Sequence, residues 1–148
     1  MDSTTLSQKA SDTLFTMLSN VSSLKSLNLS NVNLTLSAPE NDKGEEPNLN
    51  AQLVGLLSAK NCRLVSLSLT RNNLGLQACL IICQGLILNS AVAHPLKKLD
   101  VSRNKFGAKG AKLLGDSLRD NVSLHILNIS FNDIGDEGAH GLAKLLQA

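Results

Sequence analysis

The stretch Leu96–Gly107, LKKLDVSRNKFG, decides the fold. Leu99 and Val101 are two apart, so both point to one face of a strand. Asn104 follows where the chain must turn. The same spacing returns at Leu124, Leu127, Ile129, Asn132 and Ile134, and earlier at Leu64, Leu67, Leu69, Asn72 and Leu74. It occurs once more at Leu24, Leu27, Leu29, Val32 and Leu34. Four copies of one pattern make an internal repeat, whose units bury their apolar face only by stacking on one another. The first copy carries Val32 where the others carry Asn, so that turn is expected to be irregular.

Between the copies the period changes from two to that of a helix. Thr5 to Ser19 reads as a helix with Leu14 and Leu18 on one face and Ala10 a turn earlier. It resembles the helical half of a repeat whose strand is missing, as expected if the helix is a cap or if the chain is cut from a longer array. Leu49 to Lys60 reads as a second helix, with Leu49, Leu53, Leu56 and Leu57 along one side. A third runs from about Leu76 to Asn89. Leu24 and Leu64 are 40 residues apart, Leu64 and Leu96 are 32 apart, and Leu96 and Leu124 are 28 apart. Two inserts account for the excess: an acidic, proline-bearing loop at 36–48 and the short AVAHP before Leu96. Small residues fall in register in the helical halves, Ala78 with Gly110 and Gly138, and Cys79 with Ala111 and Ala139. Ile82, Leu114 and Leu142 follow, then Leu86, Leu118 and Leu146. The whole chain, 1–148, is expected to be one domain of about four repeats after the helical half-repeat.

Composition narrows the class. Aromatic residues make up 2% of the chain, so the core must be aliphatic. A net charge of +2 is too small to name a partner by sign. No run is long and apolar enough for a bilayer, and MDSTTLSQKASD has no secretory pattern. Cys62, Cys79 and Cys83 are odd in number and form no disulfide framework. An intracellular, cytoplasmic, non-secreted protein is expected. Asn28 and Asn128 sit in N-x-S triplets that the repeat itself generates, so glycosylation is not expected.

The pattern L-x-x-L-x-L-x-x-N-x-L resembles the leucine-rich repeat. The period of 28 with G-x-x-G-A and L-x-x-x-L resembles its ribonuclease-inhibitor type. The resemblance implies an α/β solenoid, a right-handed βα superhelix with parallel strands on the concave face and helices on the convex face. It also implies that Asn72, Asn104 and Asn132 form a structural ladder, since an amide donates and accepts at once.

Residues between the apolar strand positions face outward. They form four rows: Ser26, Ser66, Lys98, Ile126; Asn28, Ser68, Asp100, Asn128; Ser30, Thr70, Ser102, Ser130; and Asn31, Arg71, Arg103, Phe131. Arg71, Lys98, Asp100, Arg103 and Phe131 are the candidate partner-binding residues, because arginine beside an exposed aromatic makes a binding hot spot. A second candidate lies on the helices. Leu80, Ile87 and Leu88 stand in register with Lys112, Arg119 and Asp120 and, with Gln84, form one stripe expected to face outward. Between Lys97 and Lys112 lie six basic residues and one acid, split between sheet and helix without base-stacking aromatics, which argues against nucleic acid.

No catalytic arrangement emerges. His94, His125 and His140 have no triad or metal spacing, and two cysteines on one helix do not hold zinc. No cofactor, metal or small-molecule substrate is expected, and no membrane. The reading is a non-catalytic scaffold that binds another protein, a subunit or fragment of a larger assembly. Similar repeats occur in innate immune receptors, in cytoskeletal and ciliary scaffolds, and in regulators of actin or GTPases. The alternative from another class is a regulator that activates a small GTPase.

Overall fold

The computed structural model describes residues 8–34 and 52–147. The elements alternate: α1 (Gln8–Leu18), β1 (Ser26–Asn28), α2 (Gln52–Ser58), β2 (Ser66–Ser68), α3 (Leu76–Asn89), β3 (Lys98–Asp100), α4 (Gly107–Leu118), β4 (Ile126–Asn128) and α5 (Gly135–Ala143). A 3-10 turn, Lys144–Gln147, follows. The acidic insert at 36–48, Leu49 and the first residues of the expected N-terminal helix lie outside the described residues.

The strands form one parallel sheet in the order β1-β2-β3-β4. Leu27, Leu67, Leu99 and Leu127 are paired in register across it. Parallel neighbours require a crossover, and here each crossover passes through a helix. The helices pack on one another in chain order. Leu67, Leu69, Leu99 and Val101 are buried between the two layers with Leu53, Leu57, Ile82, Leu86 and Leu114. Each such side chain contributes about 1.5–3 kcal/mol by leaving water. In α1 Phe15 is buried, while Leu14 and Leu18 are only half-buried against the core.

The small residues in register let the helices close on each other. A Cβ at Gly115 would lie 2.8 Å from the Gly141 carbonyl oxygen, and one at Gly138 would lie 3.0 Å from the Ala111 Cβ. Gly107 and Gly135 enter their helices with φ of 67° and 59°, which favours glycine. Gly75 differs from its counterparts, with φ of −99°. In the last turn Ala139 and Leu146 are exposed, against the expectation from their register. Ala111 and Leu118 reach full burial because α5 and the 3-10 turn pack over α4.

The ladder is present, and all its bonds to other turns run backwards. Asn104 Nδ2 donates to the Leu69 carbonyl of the preceding turn at 3.0 Å and to the Val101 carbonyl of its own at 2.9 Å. Its Oδ1 accepts from the backbone N–H groups of Asn72 and Leu74 at 2.9 and 3.0 Å. Asn72 repeats this one turn earlier, donating to Leu29 and Leu69 and accepting from Val32 and Leu34. Asn132 donates to Val101 and Ile129 and accepts from Phe106. All three are buried.

This direction corrects the expectation for the first turn, which is regular. β1 pairs in register with β2, and Asn31 and Asn33 adopt φ of 57° and 51°, as Arg71 and Asn73 do at 58° and 57°. Val32 needs no amide side chain, because among the described residues no strand precedes β1 to receive its bonds.

Asn104→Ala should therefore cost about 1–3 kcal/mol by leaving five backbone groups, the N–H of Asn72 and Leu74 and the carbonyls of Leu69, Val101 and Ser102, with one partner fewer. Val32→Asn should gain none of that stability. Urea denaturation checks both. A loss below about 0.5 kcal/mol for the first, or a gain above about 1 kcal/mol for the second, would contradict the ladder.

Candidate functional site

The open face of the sheet carries the rows in the expected register. Ser66, Lys98 and Ile126 are aligned, as are Ser68, Asp100 and Asn128. Neighbouring strands are about 4.8 Å apart, so each row is continuous. Lys98, Arg71, Arg103 and Phe131 are exposed, Phe131 at 69%. Arg71, Arg103 and Phe131 all have left-handed backbones, with φ of 58°, 57° and 56°. That conformation costs a non-glycine residue and is uncommon for a bulky one. It is held from both sides. The N–H groups of Arg71 and Arg103 donate to the Ser102 and Ser130 carbonyls, and the next residue in each turn is a buried ladder asparagine. Arg103 Cζ lies 4.3 Å from the centre of the Phe131 ring, a cation–π contact.

Asp100 sits in the middle of this face as an acceptor. Its Oδ1 takes hydrogen bonds from the Ser102 hydroxyl at 2.7 Å, the Ser102 N–H at 3.0 Å and the Thr70 hydroxyl at 2.9 Å. Its Oδ2 takes one from Asn128 Nδ2 at 3.1 Å. Partial burial alone would raise its pKa, but these donors outweigh it and hold the carboxyl below the usual aspartate value. Asn28 and Asn128 make the same local turn, accepting from the N–H and hydroxyl of Ser30 and Ser130. Ser30, Ser68, Thr70 and Ser102 continue it as a belt of contacting hydroxyls.

On the helix side the expected stripe divides. Ile87 and Leu88 are exposed at 48% and 41%, beside exposed Ala91 and Ala93. Leu80 and Gln84 are half-buried, so Leu80 leaves the outward set. α3 is packed between α2 and α4 and is apolar nearly all round, which covers Leu80 in part. Cys62, Cys79 and Cys83 are buried free thiols. The Cys83 sulfur at 4.0 Å and burial push the Cys79 thiol up, making it a poor nucleophile. Among the described residues no three His, Cys, Asp or Glu side chains could hold a metal together. No helix there is long and apolar enough to cross a membrane.

A buried polar residue outside the repeat pattern ties three elements together. Asn89, at the end of α3, donates to the Leu57 carbonyl at 2.8 Å and accepts from the Leu96 N–H at 2.7 Å. It joins α2, α3 and the entry to β3 across the AVAHP insert. The signal was present in the recurring Asn before each strand, at Asn20, Asn61, Asn89 and Asn121.

Two outcomes follow from this geometry. Because Asp100 is held below its unfolded pKa of about 4, its contribution is full above that value and is lost as pH falls through the lower folded one. The stability difference between wild type and Asp100→Ala should be constant near neutrality and shrink on acidification. Urea titrations across that range would contradict this if the difference grew. On the helices, Ile87→Glu with Leu88→Lys should stay within about 0.5 kcal/mol of wild type, while Leu80→Lys should cost more than about 1 kcal/mol. Equal melting losses would contradict the division.

Comparison with known proteins agrees with this architecture. The sequence model of the leucine-rich repeat matches residues 92–115 and 120–143, the third and fourth turns with their helices. The chain is similar to dynein regulatory complex subunit 5 of Macaca fascicularis, 39% identical over 64 residues. It is also similar to the human NACHT, LRR and PYD domains-containing protein 12, 36% identical over 99 residues. These matches take in 43% and 65% of this chain but 13% and 9% of the two relatives, so the chain spans a small part of their length. Stacked strand–helix turns, a continuous asparagine ladder and these matches give the chain the α/β solenoid fold of leucine-rich repeats.

Proposed function

We propose that the chain is a non-catalytic protein-binding module of a larger assembly, and that it binds through the concave, open face of its sheet. The observation that carries this reading is the exposed row Arg71, Arg103 and Phe131, held on left-handed backbones by the ladder behind it. Side chains on a fixed backbone lose less entropy on binding, and arginine and aromatic residues dominate interface energies. Lys98 and Asp100 belong to the same surface. The exposed Ile87 and Leu88 form a second, smaller contact on the convex side.

The turns are of the ribonuclease-inhibitor type, supported by the 28-residue spacing of Leu96 and Leu124 and by the glycine and alanine register of α4 and α5. A setting inside the cell, in a cytoskeletal or ciliary assembly, is supported by the likeness to a dynein regulatory complex subunit and by the free cysteines.

Affinity purification of the tagged chain at native expression tests the reading. Arg103→Glu with Phe131→Ala should remove the captured protein while the fold persists. Ile87→Glu with Leu88→Lys should retain most of it. Capture that survives the first pair and fails with the second would overturn binding through the sheet face.

A further inference from the structure

Charge on the sheet face is lopsided. Lys25, Lys97 and Lys98 lie at its strand entries and Arg71 and Arg103 at its exits, all exposed. The one carboxylate on the four rows, Asp100, is occupied by Ser102, Thr70 and Asn128. Among the described residues no carboxylate pairs with Arg71, Arg103 or Lys98, and the one partner of the Arg103 guanidinium is the Phe131 ring. A protein normally pairs or disperses such cations. Here Arg71 and Arg103 occupy the same position of adjacent turns, and exposed Phe131 occupies it in the turn after them.

We propose that the partner of this face is an acidic peptide segment that runs across the strands, places successive carboxylates on Arg71 and Arg103, and then sets an apolar side chain on Phe131. The proposal rests on the reading that the sheet face binds protein. Its geometry is favourable. Equivalent positions on neighbouring strands are about 4.8 Å apart, and flexible arginine side chains span the remaining difference. Carboxylates two apart in an extended segment, or four apart on a helix, are separated by about 6–7 Å. Each guanidinium offers a planar fork suited to a carboxylate, and both side chains project from left-handed backbones whose N–H groups are bonded to the next turn. The absence of base-stacking aromatics between the cations disfavours a nucleic acid, which is an outcome of the test.

Selection from a random peptide display library on the immobilised full chain reads the preferred chemistry directly. The expected result is enrichment of peptides with paired Asp or Glu followed by a large apolar residue. Synthetic versions should bind more weakly at higher salt and lose about tenfold or more in affinity to Arg71→Glu with Arg103→Glu. They should be unaffected by Lys109→Glu with Lys112→Glu on α4, and circular dichroism would show that both variants fold. Enrichment of neutral or basic peptides, equal recovery on the Arg71→Glu, Arg103→Glu chain, or tighter binding of an oligonucleotide of equal charge would overturn the proposal. If protein capture from cells still requires Phe131 while the arginine pair is dispensable, the acidic partner fails and binding through the sheet face stands.

Discussion

The structure depends on a directional hydrogen bond. Each ladder asparagine satisfies backbone groups of the turn before it, so a turn is complete only when the next one is stacked. An unpaired buried backbone group costs free energy comparable to a lost hydrogen bond, which makes stacking cooperative. Burial follows the same direction. Leu67 and Leu99 are fully covered, whereas Leu127 in the fourth turn is only half-buried. Leu114 is sealed by the helix after it, while Leu142 is partly open and Leu146 is 90% exposed.

The same bond sets up the surface. The residue before each ladder asparagine is turned into the left-handed region and thrown outward, so a buried Asn is always followed back along the chain by an exposed side chain. In three successive turns that side chain is Arg71, Arg103 and Phe131. Structure and, on the proposed reading, recognition are thereby divided between adjacent positions. One can change the exposed residue without touching the ladder, which is how a single architecture takes different partners. The belt of Ser, Thr, Asn and Asp across the sheet has the opposite character. Its side chains are mostly spent on each other, so it offers a partner fewer open groups than its polarity suggests.

The architecture was legible because its signal is repeated. The leucine spacing located all four strands, and the helix Leu76–Asn89 agrees residue for residue. Three features were harder to read, each for a physical reason. Val32 looked like a defect because composition does not show which way an amide bonds. Leu80 looked exposed because register fixes an angle around a helix and not the depth of the neighbouring helices; α3 is buried on several sides and has no single apolar face. The role of Asn89 is not legible in the sequence, because its partners, Leu57 and Leu96, are brought together only in three dimensions. The candidate surface residues were legible as a row, but their left-handed backbone and the Arg103–Phe131 contact needed coordinates.

Amide hydrogen exchange, read residue by residue by NMR in wild type and Asn104→Ala, tests the directional ladder most directly. The account predicts a selective loss of protection at the Asn72 and Leu74 amides, which donate to Asn104, with the Val32 and Leu34 amides on Asn72 less affected. Unchanged protection at Asn72 and Leu74 would contradict it.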